Sequence, residues 1–388
     1  MHLGKIKYAP LALAAGLALS AAPANALTIN LIDTGGVTGT AAEQGFTIAA
    51  HYWETVFTND ATLNLNVGYA ALGPGILGST GSSLEEFVPI ADYYAGLAAN
   101  GNSALDATAV ANLSPLSGSG SVSLEVAGYL NAAAHTGVNN NAPSRIAPDG
   151  QAISQTIAMS TANYKAVFGG HTGIDADITF SSNFSWDFDP TDGVGSGSYD
   201  FIGVAIHEIG HALGFISGTD DFDYSQGYTG PVDSYWWAYG LDMFRYTEAG
   251  QLNIVPGDPG YFSIDGGVTD LGDFSTGTNF GNGWQASHWM PPGGCVDLEG
   301  IMNPYACNGT VDIVTGLDLA LFDAIGWNLA DGARDNMNYT KDTAQIYRDY
   351  FATPGVPEPS TWVQMVLGFG LFGGLMRRAK ARTRVSFA

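Results

Sequence analysis

The chain has 388 residues, and its 37 acidic side chains outnumber 13 Lys and Arg, for a formal net charge of −24. A surface so acidic repels nucleic acid and anionic lipid, which excludes binding to either as the main role. The length suffices for a sizeable core in one large or two modest domains.

In chain order, the first 26 residues read as a targeting segment. Lys5 and Lys7 precede the apolar run PLALAAGLAL and the small-x-small site Ala24-Asn25-Ala26. That is the layout of a secretory signal peptide, too short to span a membrane, and it predicts an exported mature chain beginning near Leu27.

LTINLID then predicts a strand, AAEQGFTIAAHYWETVF (Ala41 to Phe57) an amphipathic helix, and TLNLNVGYAAL an alternating strand. Residues 73–120 are rich in Gly, Ser and Ala and read as a loop-rich insertion without chemistry, with one helical piece, LEEFVPIADYYAGLAAN. SVSLEVAGYL and DADITFSSNFSWDF (Asp175 to Phe188) predict further strands, separated by a helical SQTIAMSTANYKAVFG. The strand ending near Phe180 is expected to be the sheet edge that pairs with an extended substrate.

The next helix carries the chemistry. Asp200 can cap its start, Gly214 can stop it, and Ile202, Ile206, Ile209 and Leu213 form a buried stripe. His207 and His211 share an adjacent stripe with Gly203 and Gly214, where nothing bulky would block a ligand. Downstream the sequence is irregular and rich in Gly and Asp until a last helix. That helix opens at Thr315 with Asp318 at the capping-box position, carries Leu317, Leu321, Phe322 and Ile325, and stops at Gly326. The only two cysteines, Cys295 and Cys307, are expected to pair in an oxidising compartment.

The far end reads as a second address. VPEPSTW (Val356 to Trp362) is followed by VQMVLGFGLFGGLM and then Arg377-Arg378-Ala379-Lys380. This order resembles the PEP-CTERM sorting signal of exopolysaccharide-making Gram-negative bacteria. The resemblance implies transient membrane association and cleavage by an exosortase-type sorting enzyme, placing the protein at the cell envelope or outside the cell; the alternative is a permanent tail anchor. The two ends hold seven of the Lys and Arg residues against one acid, Glu358, so the body between them has 36 acids and 6 bases. Such acidity suits a soluble exported protein and is compatible with bound Ca2+.

In VAIHEIGHALGFISGTD (Val204 to Asp220), two histidines stand one helical turn apart with Glu208 beside the first. That spacing offers Zn2+ two imidazole ligands and a general base for a metal-activated water. A third ligand is needed, and the residues alone leave several sources open. They are His288 in Ala286-Ser287-His288-Trp289, the aspartates Asp220, Asp221 and Asp223, and the glutamates Glu248 and Glu299. The three aspartates are otherwise a solvated loop or a weak calcium site, and substituting Asp220 or Asp221 is expected to cost little.

The HExxHxxGF helix, the distant Ser-His-Trp, the segment Gly300-Ile301-Met302-Asn303-Pro304 and a final helix arrive in that order. The order resembles the leishmanolysin-like branch of the metzincin metallopeptidases, over roughly Asp175 to Leu329. The resemblance implies His207, His211 and His288 as zinc ligands, Glu208 as general base and Met302 as the turn methionine. It also implies an α+β, metzincin-like fold with a mixed sheet, an active-site helix and an irregular C-terminal subdomain ending in a helix. Many metzincins place a tyrosine two residues after that methionine. Here Pro304 holds the position and Tyr305 follows, so Tyr305 receives no catalytic role.

The expected organisation is a signal peptide over 1–26, a catalytic subdomain over 27–215, a C-terminal subdomain over 216–330, a linker over 331–355 and a sorting segment over 356–388. The expected function is that of an exported zinc-dependent endopeptidase acting on protein or peptide substrates. The alternative is a non-catalytic zinc-containing matrix or surface protein.

Overall fold

Residues 27–295 and 298–352 are described in the computed structural model. The signal peptide, the sorting segment and the last residues of the expected linker therefore lie outside the described residues. The chain begins with β1 (Leu27–Gly35), α1 (Ala41–Val56), β2 (Ala61–Ala70), β3 (Gly78–Ser82) and β4 (Leu84–Pro89). Next come α2 (Ile90–Asn100), α3 (Ala104–Ala111), β5 (Leu124–Val126), β6 (Gly128–Asn131), β7 (Thr136–Asn139) and β8 (Arg145–Ile146). Then follow α4 (Ala152–Gln155), β9 (Thr156–Ser160), α5 (Thr161–Phe168), β10 (Ala176–Ser181), β11 (Trp186–Asp187), β12 (Tyr199–Asp200), α6 (Phe201–Ala212) and α7 (Gly218–Tyr224). The last third holds β13 (Arg245–Glu248), β14 (Gln251–Asn253), β15 (Gly260–Phe262), β16 (Gly272–Phe274) and β17 (Ile313–Thr315). It ends with α8 (Gly316–Ala324), β18 (Thr340–Asp342) and α9 (Thr343–Ala352). This is a mixed α+β architecture.

The sheet that positions the site runs β1-β2-β10-β3. Its first three strands are parallel and β3 is antiparallel to β10. Alternation explains β2, whose Leu63, Leu65 and Val67 point inward while Asn64 and Asn66 face outward. Helices α1 and α6 pack together, and Trp53 Nε1 donates to the Ile206 carbonyl at 3.2 Å. Phe46, Phe180 and Phe201 join helix to sheet, with ring centroids 4.7–5.0 Å apart. Helix α1 is capped by Thr40, whose side chain accepts from the Ala42 N–H.

Several expectations are corrected. The strand ending near Phe180, β10, is internal: it pairs with β2 on one side and β3 on the other, so β3 is the edge. The supposed chemistry-free insertion over 73–120 supplies that edge strand. Within it LEEFVP is a strand, β4, and only from Ile90 does the chain turn helical. In SQTIAMSTANYKAVFG the stretch Thr156–Ser160 is strand β9, paired antiparallel with β4. The expected linker over 331–355 carries β18, which pairs with β17, and α9, whose Thr343, Ala344 and Ile346 are buried.

A second, six-stranded sheet runs β16-β15-β13-β14-β5-β8. It joins strands from both sides of the expected 215/216 boundary, because β14 pairs in parallel with β5 (Leu252↔Leu124). Among the described residues no helix is long and apolar enough to cross a membrane.

Candidate metal centre and its cleft

Helix α6 forms where the sequence placed it. Asp200 accepts from the N–H groups of Ile202 and Gly203, and Gly214 takes the positive φ of 114° that ends the helix. Ile202, Ile206, Ile209 and Leu213 are all fully buried, which fixes the rotation of the helix and turns His207 and His211 to one side. The two glycines have a different use from the one expected. A Cβ on Gly203 would stand 2.2 Å from Asp312 Oδ2, and one on Gly214 3.1 Å from Asn163 Cβ. The space they leave admits protein side chains.

His288 arrives beside this helix from the chain following β16. Its Nε2 lies 3.2 Å from that of His211 and 3.3 Å from that of His207, while the His207 and His211 Nε2 atoms are 3.0 Å apart. Each Nδ1 faces a backbone carbonyl: Ile301 for His207 and Phe215 for His211, both at 2.8 Å, and Gln285 for His288 at 3.2 Å. A carbonyl only accepts, so each Nδ1 donates and each Nε2 lone pair is left free. Burial pushes His207 down to about 4, and His211 to about 3 with help from neighbouring His207. Burial and the other two imidazoles hold His288 well below the usual range.

Three neutral imidazoles with converging lone pairs fit a tetrahedral cation. Nitrogens bonded at ~2.0–2.1 Å around such a centre stand about 3.3 Å apart, leaving a fourth position open. Among the described residues this is the one group of His, Cys, Asp and Glu side chains close enough to hold a metal.

The surroundings hold the triad from three directions. From one side β3 passes directly over Glu208: a Cβ on Gly78 would come 2.5 Å from Glu208 Oε1. Thr80 Oγ1 stands 2.7 Å from Glu208 Oε2 and 2.9 Å from its carbonyl, donating to one at a time. Ser82 Oγ donates to the His211 carbonyl at 3.1 Å. Burial lifts the Glu208 carboxyl to about 7, with the Thr80 bond opposing.

From below, buried Met302 brings Sδ to within 2.6 Å of where a Cβ on Gly210 would stand. Asp318 fixes that turn: it accepts from Ile301 N (2.9 Å), Met302 N (3.2 Å) and Trp289 Nε1 (2.8 Å) while completing the α8 capping box with Thr315. Cys295 and Cys307 form the disulfide that brackets the segment.

The third support corrects the reading of Asp220, Asp221 and Asp223. They are not a solvated loop: they belong to α7, and among the described residues they form no group close enough to share a metal. Asp220 accepts from Ala286 N (2.6 Å), Ser287 N (2.9 Å) and Ser287 Oγ (2.6 Å), the residues just before His288. Asp223 is buried and accepts from the N–H groups of Thr278, Asn279 and Phe280. Asp221 accepts from Tyr239 Oη at 2.8 Å. Asp242 adds a fourth pin, accepting from Ser217 Oγ at 2.6 Å, and Ser217 N donates to Ser287 Oγ at 2.9 Å. Glu248 and Glu299 are not part of the triad.

Sequence reasoning missed Gly78, Thr80, Asp220 as a support, Asp242 and the double role of Asp318. Only Asp318 carried a local signal, its capping-box spacing. Tyr305 lines the cleft but spends its hydroxyl on the main chain of Gly294.

A cleft of about 1070 Å³ opens over the triad. One wall is the free edge of β3 with the preceding Gly75 to Leu77; the other comprises Trp284, Pro304, Tyr305 and residues 310–313. No protein-family model, curated protein or solved structure matches the chain.

Proposed function

We propose that this protein is a zinc-dependent endopeptidase of metzincin-like fold, related in plan to the leishmanolysin-like branch. One observation carries the reading. Three buried imidazoles converge beside a glutamate at the floor of an open cleft, and that cleft is bordered by an unpaired strand edge.

His207, His211 and His288 would hold the metal, each oriented by its Nδ1 donating to a carbonyl. Bound there, zinc supplies Lewis acidity: it polarises a carbonyl and makes water a usable nucleophile near neutrality. Glu208 takes the proton at its carboxylate and passes it to the leaving amine, and Thr80 fixes which way that carboxylate points. The edge of β3 offers main-chain N–H and C=O groups to an extended peptide, aligning the scissile bond over the histidines without reading side chains. Met302 and Asp318 set the height of the floor.

The open cleft and the glutamate weigh against a purely structural zinc site. Such a site closes its fourth position with a protein ligand and has no use for a base. We extend the proposal to location: an exported, envelope-associated protein sorted through its tail.

The test is the pair of wild type and Glu208→Gln, assayed for bound zinc and for digestion of casein with and without chelator. The variant should retain zinc and lose ~10²–10⁴ of its rate. Hydrolysis at wild-type rate by the variant, or hydrolysis indifferent to chelator, would sink the assignment.

A further inference from the structure

Among the described residues, the cleft lining contains one carboxylate besides Glu208, Asp312, and no Lys or Arg. Asp312 stands against Gly203, one turn of α6 (about 5.4 Å) before His207. With 2.2 Å between its Oδ2 and a Cβ on Gly203, the carboxyl occupies helix surface that any other residue would cover.

Its main chain is satisfied: its N–H donates to Asp200 Oδ2 at 3.2 Å and its carbonyl accepts from Thr343 N at 3.0 Å. Its carboxyl oxygens have no hydrogen-bond partner among the described residues, although the residue is only 8 % exposed and borders the cleft. Behind it, fully buried Asp200 accepts from the N–H groups of Ile202, Gly203 and Asp312 and from Thr343 Oγ1. Of two adjacent carboxyls, one has four donors and the other has none.

A nine-tenths-buried, unpartnered carboxyl beside a second acid is costly to ionise, and among the described residues no side chain pairs with it. A hydrogen-bond donor entering through the cleft would complete the site, and a positively charged one would complement the carboxyl best. Val204, Val311 and Ile313 line the same part of the cleft and can cover a methylene stem.

We propose that Asp312 is the base of a cation-selective side pocket that receives the ammonium or guanidinium of a Lys or Arg side chain in the substrate. The pocket rests on the endopeptidase reading for the nature of its ligand, and on geometry alone for its charge preference. Burial and the Asp200 carboxyl push the Asp312 carboxyl well above the ordinary range, so an arriving cation is also what ionises it. The acidic body of the protein raises the local concentration of such cations.

Two measurements on the full chain test this. The first compares binding of n-butylguanidinium with its uncharged isostere n-butylurea, to wild type and to Asp312→Asn. Wild type should prefer the cation by about 10- to 100-fold, and the preference should vanish in the variant. The second measures kcat/KM for peptides differing only in Lys, Arg, norleucine or Glu at one position, scanned across the scissile bond. At one position Lys and Arg should exceed norleucine about tenfold or more, with the ratio near one in Asp312→Asn.

Equal wild-type affinity for the two small probes overturns the pocket, and this arm needs no variant to fold. Hydrolysis without basic preference at any position also overturns it and leaves the endopeptidase standing. Cation binding that depends on Asp312, with no peptide hydrolysed, keeps the pocket and removes the endopeptidase.

Discussion

Asp220→Ala tests whether α7 carries His288. The aspartate accepts three hydrogen bonds, from Ala286 N, Ser287 N and Ser287 Oγ, at 2.6, 2.9 and 2.6 Å. Ala286 and Ser287 are 0 % and 8 % exposed, so the stranded donors cannot simply turn to solvent. Each buried donor left unsatisfied costs about 1–3 kcal/mol, and a water entering the vacated space would recover part. A net loss of about 3–5 kcal/mol follows. The same segment sets the reach of His288, whose Nε2 must stay close to the other two, so zinc affinity should fall about 10- to 100-fold. Asp221→Ala is the control: it removes one bond, from Tyr239, and should cost about 1 kcal/mol with zinc affinity unchanged. Urea melts give the stabilities, and competition with a chromophoric chelator gives the zinc dissociation constants. Zinc affinity in Asp220→Ala within twofold of wild type would refute the reasoning, whatever the melt shows.

His288→Ala should weaken zinc roughly a hundredfold or more, since two imidazoles alone seldom hold the ion, and atomic spectroscopy after gel filtration reads the occupancy. Reducing the Cys295–Cys307 bridge, which closes a sequence separation of 12, should lower stability by about 3 kcal/mol, measured as a shift in denaturation midpoint. Asp323 is raised from 3.8 to about 7, by burial first and then by the Asp106 charge. The native state thus keeps a proton that the unfolded chain sheds near 3.8. The associated stability is complete below that pH and is lost as pH rises through about 7. Asp323→Asn should flatten this fall and leave the variant more stable at pH 8, by up to about 4 kcal/mol; parallel pH–stability curves for the two proteins would show the carboxyl is not responsible.

Helix α6 was legible because its buried stripe, cap and stop agree, and because the His-Glu-x-x-His spacing has chemical meaning on a helix. His288 was visible only through a resemblance in order, since the 76 residues between it and His211 carry no periodicity. Strand β3 was invisible for a physical reason. GSTGS has no apolar alternation, because Gly78 lets the backbone ride over Glu208 and an edge strand beside a cleft has no hydrophobic face to bury. LEEFVP deceived in the opposite way. Leu84, Phe87 and Val88 follow a helical period, yet the segment is a strand whose register shifts between Glu85 and Val88, with Phe87 at φ 57°. In TIAMS the residues from Ile157 to Ser160 are all buried, and continuous burial erases the alternation that marks a strand. The aspartates of α7 looked solvated because acidity usually means surface. Here the oxygens of Asp220 and Asp223 collect main-chain N–H groups from a segment more than fifty residues away.

The parallel pairing of Leu252 with Leu124 has a consequence for the order of assembly. In the native fold the chain after β14 reaches α6 past a pairing of two segments more than a hundred residues apart, a closure that is slow and entropically demanding. A chain elongated only as far as Gln285 holds two of the three imidazoles and no floor beneath them. With zinc bound as proposed, high-affinity uptake would follow completion of the tertiary structure, and the last ligand would act as a checkpoint on the whole fold. If the triad serves the proposed hydrolase, unfinished or misfolded copies would remain chemically silent and would spare the machinery that synthesises them.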